Sequence, residues 1–185
     1  PEQAQEHAKT IREKEVAKLY SRYQERLRTF NAVDFDDLIR LPLQILETDA
    51  EALVRWQAQI RYLLVDECQD TNGAQYRMIK ALAGKQGVFT CVGDDDQSIY
   101  AWRGAQPENL DELAVDYPAL QVIKLEQNYR CSARILRSAN ALIANNPHAH
   151  IKKLWSEHGE GAKIRIWACK NNEHEAQRVA AEIQY

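Results

Sequence analysis

Hydrophobic positions in the first part of the chain recur at helical spacing among many charged residues. Residues 3–30 contain neither glycine nor proline, and their apolar side chains predict one long amphipathic helix. Residues 34–46 repeat the pattern, with Asp34 placed to cap the helix and Pro42 placed to kink it. The pattern therefore predicts a helical segment over residues 1–47.

The rhythm of apolar positions changes after this segment. Short apolar runs alternate with stretches at helical spacing; the runs are 62–65, 88–92 and 121–125, and the helical stretches are 72–83 and 107–116. Continuous apolar strands that alternate with helices predict a parallel sheet with flanking helices, and hence an α/β fold. Ligands in such sheets bind at the carboxyl ends of the strands.

The last third of the chain predicts a second α/β unit. We expect a helix over 132–144, a strand over 163–168 and a final helix over 172–185. The predicted domains are therefore 1–47, 48–127 and 128–185.

Net charge does not identify a partner, because the 185 residues carry 24 basic and 27 acidic side chains, a formal charge of −3. The charge is uneven, however. Residues 121–155 hold six basic side chains against one acidic one, which fits either a nucleic-acid contact or solvated helix faces. Acidic residues gather instead just after the first two apolar runs.

Four widely spaced cysteines form no metal-binding or redox motif, so reduced thiols in a cytoplasmic protein are the simplest interpretation. No apolar run is long enough to cross a bilayer, which takes roughly 18 residues, and membrane association is not expected. The chain begins at Pro1 in a charged helical run, and we expect it to be a segment of a longer protein.

Asp66 and Glu67 directly follow the first apolar run. At the carboxyl edge of a buried strand, this pair has the Walker B arrangement. Asp66 could hold Mg²⁺ through water, and Glu67 could accept a proton from the water that attacks a γ-phosphate. A helix cap or a surface ion pair would also account for two such acids.

Three further acids, Asp94, Asp95 and Asp96, follow the second run, and such crowding is costly without a compensating cation or amide. The uncharged Gln97 can touch a phosphate oxygen and an attacking water together. Tyr100, Trp102 and Arg103 come next, a pattern typical of sequence-tolerant binding of single-stranded nucleic acid. An exposed acidic turn, a core tryptophan and a surface arginine are the alternatives.

Tyr129 and Arg130 lie shortly after the third apolar run. A guanidinium can grip two phosphate oxygens, which suits Arg130 to the role of an arginine finger. Tyr129 offers a flat face to adenine. A Tyr-Arg pair alone has no specificity.

The combined motifs resemble those of superfamily 1 DNA helicases of the UvrD, Rep and PcrA kind. The matching runs are DFDDL at 34–38, VDECQDTN at 65–72, GDDDQSIYAWRGA at 93–105 and LEQNYR at 125–130, in family order and spacing. The stretch 143–148 is similar to the Rep branch.

This resemblance implies a site residue by residue. Asp66 would bind Mg²⁺, Glu67 would activate the hydrolytic water, and Gln97 would sense the γ-phosphate of ATP. Tyr100 and Trp102 would stack on bases while Arg103 contacts the strand. Tyr129 would pack on adenine, and Arg130 would reach the γ-phosphate from a second motor domain.

The resemblance further implies two RecA-like motor domains that close on ATP and reopen on hydrolysis. Residues 1–47 would then be the end of an inserted helical subdomain with its return helix. Residues 48–127 would be the second half of the first motor domain, and 128–185 the start of the second. Such proteins move 3′ to 5′ on single-stranded DNA and unwind forked or duplex DNA, with replication or repair proteins as possible partners.

Two departures qualify this expectation. Cys68 stands where relatives often carry an aromatic residue, and Cys131 stands where they often carry serine. The phosphate loop G-x-x-x-x-G-K-[ST] is also missing, since Gly84-Lys85 lacks the first glycine and the hydroxyl. We therefore expect the 185 residues alone to be inactive as an ATPase.

Two other functions fit parts of the pattern. A non-catalytic module could bind DNA or a protein partner through the aromatic loop and the first helix. A metal-dependent phosphohydrolase could use the acidic residues, but it would leave Gln97 and the aromatic side chains unexplained.

Overall fold

The fold was analysed in a computed structural model that describes residues 1–85, 87–146 and 151–183. The chain divides into two units, one spanning Pro1–Leu120 and the other starting at Gln121. Positions 147 and 148 of the Rep-like stretch, and 184 and 185 of the predicted final helix, lie outside the described residues.

Two helices replace the single long helix predicted over 3–30: α1 (Glu2–His7) and α2 (Ile11–Thr29). The prediction was wrong because Thr10 starts a new helix. Its side chain accepts a hydrogen bond from the Glu13 N–H, and the Glu13 carboxylate accepts one from the Thr10 N–H. This capping box satisfies two N–H groups that, in a continuous helix, would donate to the carbonyl groups four residues earlier. The Gln5 side chain donates to the Ser21 hydroxyl at 2.8 Å, so α1 contacts α2.

Helix α3 (Asp37–Thr48) begins three residues later than predicted and continues through Pro42. Asp34 nevertheless acts near its start, because the Asp34 carboxylate accepts from the Asp37 N–H at 2.9 Å. Helix α4 (Ala50–Gln59), capped by Asp49, was not predicted. These two helices pack on each other and on α5 (Gly73–Ala83), whose capping box at Asn72 confirms the predicted start.

Two parallel strands, β1 (Leu63–Val65) and β2 (Phe89–Cys91), form the sheet, with Val65 opposite Cys91. Helix α5 connects them, and α6 (Asn109–Asp116) follows β2. This arrangement confirms a mixed α/β fold with a parallel pair. The main core of the unit contains Cys68, Tyr76 and Leu113, and it lies directly behind the turns that leave the two strands.

The second unit contains α7 (Ala133–Ile143) and α8 (Asn172–Ile183). The strands predicted at 121–125 and 163–168 are wrong for the described residues, which form no ladder there. Their apolar side chains lack a covering layer; Leu125 is 79% exposed and Ile166 is 91% exposed. An apolar run becomes a strand only when a neighbouring strand supplies hydrogen-bond partners. In the part of the unit that the structure describes, one parallel bridge joins Gln127 to Trp155 instead.

No helix among the described residues is both long and apolar enough to cross a membrane.

Candidate functional site

The chain turns sharply where β1 ends. Asp66 and Glu67 are both exposed there, and Glu67 lies in the left-handed region with φ 51° and ψ 43°. This conformation is uncommon for a residue other than glycine. The Asp66 carboxylate accepts a hydrogen bond from the Glu67 N–H at 2.9 Å, and a 3₁₀ turn begins immediately afterwards at Cys68. The turn directs both acids away from the core.

Gln69 holds this turn from below. It is 1% exposed, and its side-chain N–H donates to the Glu67 carboxylate at 2.8 Å. Its side-chain oxygen accepts from the Asp94 N–H at 3.0 Å. One buried side chain therefore connects the turn after β1 with the turn after β2.

Asp94, Asp95 and Asp96 present carboxylate oxygens within 4.8 Å of one another. Hydrogen-bond donors offset part of this repulsion at Asp94, which accepts from the Asp96 N–H at 3.2 Å and from the Gln97 side chain at 2.7 Å. Gln97 itself is exposed. The predicted crowding of charge is confirmed, and the compensating amides belong to the same turn.

The aromatic loop comprises residues 98–106. Trp102 is 74% exposed, and its ring centroid lies 6.3 Å from that of Tyr100. The Arg103 guanidinium lies over both rings, 4.6 Å from the Trp102 centroid and 5.2 Å from the Tyr100 centroid. This geometry contradicts a core tryptophan. Arg103 therefore lies close to both exposed rings.

Buried polar contacts attach the aromatic loop to the turn after β1. Asn109 is 3% exposed, and its side chain donates to the carbonyl and the hydroxyl of Thr71 at 3.0 and 3.1 Å. An antiparallel bridge joins Asn72 to Ala105, and the Gln106 N–H donates to the Thr71 carbonyl. The turn after β1 and the aromatic loop are therefore held together.

The two thiols behind this site, Cys68 and Cys91, do not form a disulfide, and the other two cysteines are also free. A hydrogen bond between them lowers the pKa of the buried Cys68 and raises the pKa of Cys91. Reduced thiols stay a prediction.

Tyr129 and Arg130 lie in the second unit, in a turn stabilised by Asn128. The Asn128 side-chain oxygen accepts from the N–H groups of Arg130 and Cys131 at 2.9 and 2.7 Å. Tyr129 is 75% exposed, and its hydroxyl donates to the Gln127 side chain. Both predicted side chains therefore point to solvent, and no carboxylate pairs with Arg130 among the described residues.

Part of the basic charge in this unit is neutralised locally. Arg137 makes a two-point contact with Glu160, and Arg134 lies 3.5 Å from the same carboxylate. The contact with Arg137 is the main cause that lowers the pKa of Glu160. The unpaired positive charge of residues 121–155 is consequently smaller than the residue count suggests.

The structure thus connects two of the predicted site residues of the first unit, Glu67 and Gln97, through two other residues. A line of hydrogen bonds runs from Glu67 through Gln69 and Asp94 to Gln97. The exposed Asp66 carboxylate could hold a hydrated Mg²⁺, since it uses one oxygen for the Glu67 N–H and no described residue donates to the other. The sequence-based prediction missed Gln69 and Asn109, since single buried polar residues produce no periodic pattern.

Comparison with known families decides where the chain belongs. Residues 1–118 match the UvrD/REP helicase N-terminal domain, and residues 123–185 match the UvrD-like helicase C-terminal domain. The chain belongs to the UvrD/REP helicase family. The resemblance identified from the sequence motifs is confirmed.

Three curated relatives of this UvrD/REP family chain illustrate its similarity. It is 55% identical to the ATP-dependent DNA helicase Rep of Salmonella typhimurium, over 99% of the chain and 27% of that relative. It is 46% identical to DNA helicase II of Haemophilus influenzae, over 93% of the chain and 24% of that relative. It is 43% identical to the ATP-dependent DNA helicase PcrA of Leuconostoc citreum, over 91% of the chain and 23% of that relative. The chain spans about a quarter of the length of these relatives.

Proposed function

We propose that the chain is part of an ATP-dependent DNA helicase that moves 3′ to 5′ on single-stranded DNA and unwinds forked or duplex DNA. The observation that carries the proposal is the line of hydrogen bonds from Glu67 to Gln97, with the exposed aromatic loop immediately after it. A motor must join a hydrolytic centre to a DNA-binding surface. The names of its relatives support ATP as the nucleotide and DNA as the substrate.

Glu67 is proposed to orient the water that attacks the γ-phosphate and to accept its proton. Its left-handed backbone conformation and the bond from Gln69 fix where the carboxylate points. Asp66 is proposed to hold Mg²⁺, which when bound would neutralise charge on the phosphates. Gln97 is proposed to contact the γ-phosphate with its exposed amide group.

Tyr100 and Trp102 are proposed to stack on DNA bases, with Arg103 on the phosphate backbone. In the second unit, Tyr129 is proposed to pack on adenine and Arg130 to contact the γ-phosphate. These assignments imply RecA-like motor domains, with 1–47 as a helical segment, 48–127 as part of the first motor and 128–185 as the start of the second. A cytoplasmic location and contacts with replication or repair proteins belong to the same proposal.

ATP hydrolysis by the longer protein tests this function. We expect turnover that rises when a single-stranded oligonucleotide is added and that falls sharply in a Glu67→Gln variant. The 185-residue chain should hydrolyse no ATP, because the lysine and amides of a phosphate loop are missing from its sequence. ATP turnover that does not rise when the single-stranded oligonucleotide is added would contradict the proposal.

A non-catalytic DNA-binding module is the second candidate, favoured by the exposure of Trp102 and its contact with Arg103. Such a loop could bind a single strand without any phosphate loop. DNA binding by a longer protein that hydrolyses no ATP would favour this candidate over the helicase.

A further inference from the structure

Gln69 is the most buried polar side chain in the described part of the chain, at 1% exposure. Burying an amide is costly unless its hydrogen bonds are made. Both ends of this amide are used, at 2.8 Å to the Glu67 carboxylate and 3.0 Å from the Asp94 N–H. The two partners belong to turns that follow different strands.

Only a side chain with a donor at one end and an acceptor at the other can make this pair of contacts. The Glu67 carboxylate accepts and the Asp94 N–H donates, so the orientation of the amide is fixed by its partners. Glutamate lacks the donor, and leucine lacks both groups. The chemistry of the position therefore requires an amide.

The backbone leaves space for this amide at Gly93. A Cβ atom on Gly93 would lie 2.9 Å from the side-chain oxygen of Gln69, closer than a carbon atom can approach without displacement. The neighbouring backbone holds the same geometry, because the Cys68 N–H donates to the Val92 carbonyl at 3.0 Å. The end of β2 is thus fitted closely around Gln69.

Gln69 also reaches the aromatic loop through its backbone. Its carbonyl accepts from the Ser98 hydroxyl at 3.3 Å, two residues before Tyr100. Asp94, which the side chain holds, accepts in turn from Gln97. A shift of Gln69 would therefore be felt at Glu67, at Gln97 and at the start of the aromatic loop.

We infer that Gln69 is a positioning residue that holds the Glu67 carboxylate in its left-handed turn and transmits DNA binding at the aromatic loop to that carboxylate. The inference rests on the proposed helicase function. It assigns Gln69 no contact with the nucleotide. Its two side-chain hydrogen bonds have different effects. The bond to Glu67 determines the rate of ATP turnover, and the bond from Asp94 determines how strongly DNA stimulates that turnover.

Two substitutions separate these bonds in the longer protein. Gln69→Glu keeps an acceptor for the Asp94 N–H but places a second carboxylate against Glu67. It should lower kcat by about 10²-fold, the cost of a misplaced catalytic group, while leaving the ratio of DNA-stimulated to basal turnover close to wild type. Gln69→Leu removes both bonds and should also reduce that ratio by at least about 5-fold. Gln24→Leu is the control, since Gln24 is buried in α2 outside the site.

A double-mutant cycle with Glu67→Gln distinguishes positioning from general destabilisation, with thermal unfolding measured for each variant. If Gln69 acts through Glu67, Gln69→Glu should lower single-turnover hydrolysis no further in the Glu67→Gln background. Additive losses, or wild-type kcat in both Gln69 variants, would overturn the inference. If Gln69→Leu fails to fold, Gln69→Glu, which has nearly the same volume, still decides whether Gln69 positions Glu67. A fall in the ratio of DNA-stimulated to basal turnover in Gln69→Glu would then overturn the assignment of the DNA response to the bond from Asp94.

The wild-type protein separates this inference from the function on which it rests. Wild-type turnover that DNA does not stimulate would overturn the helicase proposal and the inference together. Stimulated turnover in the wild type with additive losses in the cycle would overturn the inference alone.

Discussion

Single residues of the aromatic loop make the DNA-binding proposal specific. Trp102 is largely exposed, and its main neighbour is the Arg103 guanidinium, so little of its ring supports the fold. We expect Trp102→Ala to lose about 1 to 3 kcal/mol of affinity for a single-stranded oligonucleotide, the usual contribution of one stacked base. A fluorescence anisotropy titration measures this loss.

Trp56→Ala is the matched control for that titration, because Trp56 is a half-exposed tryptophan in α4, away from the loop. It should leave the affinity unchanged. Equal DNA affinity for the wild type and Trp102→Ala would contradict the proposal that Trp102 stacks on DNA bases.

Arg130 offers a second prediction at the scale of one residue. Its guanidinium is exposed and has no carboxylate partner in the described part of the chain, as an arginine that meets phosphate requires. Arg130→Ala should cost about 10³-fold or more in the turnover of the longer protein if Arg130 stabilises the transferring phosphate. Steady-state ATPase assays at saturating ATP measure the change.

Two variants calibrate the Arg130 result. Arg130→Lys keeps the charge but loses the planar fork, so it should recover only part of the turnover. Arg137→Ala removes an arginine that is already paired with Glu160 and should leave turnover close to wild type. An unaltered kcat in Arg130→Ala would exclude the finger role.

At the scale of elements, the break between α1 and α2 depends on one capping residue. Thr10→Ala removes the side-chain oxygen that satisfies the Glu13 N–H, which typically costs about 1 kcal/mol. Amide hydrogen exchange in the first turn of α2 should quicken accordingly. Thr48→Ala serves as control, since the Thr48 hydroxyl donates to the Gln44 carbonyl within α3 and caps no helix start. Unchanged exchange at residues 11–14 would show that the cap does not hold the helix start.

The elements also show how far sequence patterns reach. Strands β1 and β2 were predicted because their apolar runs are continuous and each finds the other as a partner. The runs at 121–125 and 163–168 are also rich in apolar residues, although each contains at least one basic side chain, and they have no partner strand in the described residues and form none. Local pattern therefore predicts the tendency to form a strand, whereas pairing decides whether one forms.

The candidate site likewise contains residues that sequence patterns predict and one that they miss. Asp66, Glu67 and Gln97 were predicted because acids and amides after strands have a recognisable chemistry. Gln69 was missed, although it joins them, since its role depends on two atoms that lie 25 residues away in sequence or across a turn. Its signal was the fit to Gly93, which becomes visible only in three dimensions.

At the scale of the whole molecule, the first unit is closed by a polar contact across its core. The Tyr76 hydroxyl in α5 donates to the Asp116 carboxylate in α6 at 2.7 Å, and the Lys80 ammonium lies 2.7 Å from the same carboxylate. Burial, followed by the bond to Asp116, raises the pKa of Tyr76 well above its usual value. Burial also raises the pKa of Tyr117 beside it.

These shifts predict a loss of stability in alkali. A tyrosine whose pKa is raised by folding contributes stability that is fully present below its unfolded pKa of about 10 and is lost as the pH rises toward the folded value. The free energy of unfolding should therefore fall above about pH 10, by up to about 1.4 kcal/mol per pH unit for each such tyrosine. Urea titrations at a series of pH values measure this slope.

Tyr76→Phe assigns the slope to its residue. The variant keeps the ring in the core, and at neutral pH it should lose about 1 kcal/mol with the hydrogen bond to Asp116. Above about pH 10 its stability should fall less steeply than that of the wild type, because the Tyr76 phenol is no longer present to ionise on unfolding. Tyr76→Phe combined with Tyr117→Phe should flatten the dependence further. Parallel curves for the wild type and Tyr76→Phe would show that the contact between α5 and α6 does not control the alkaline stability of the unit.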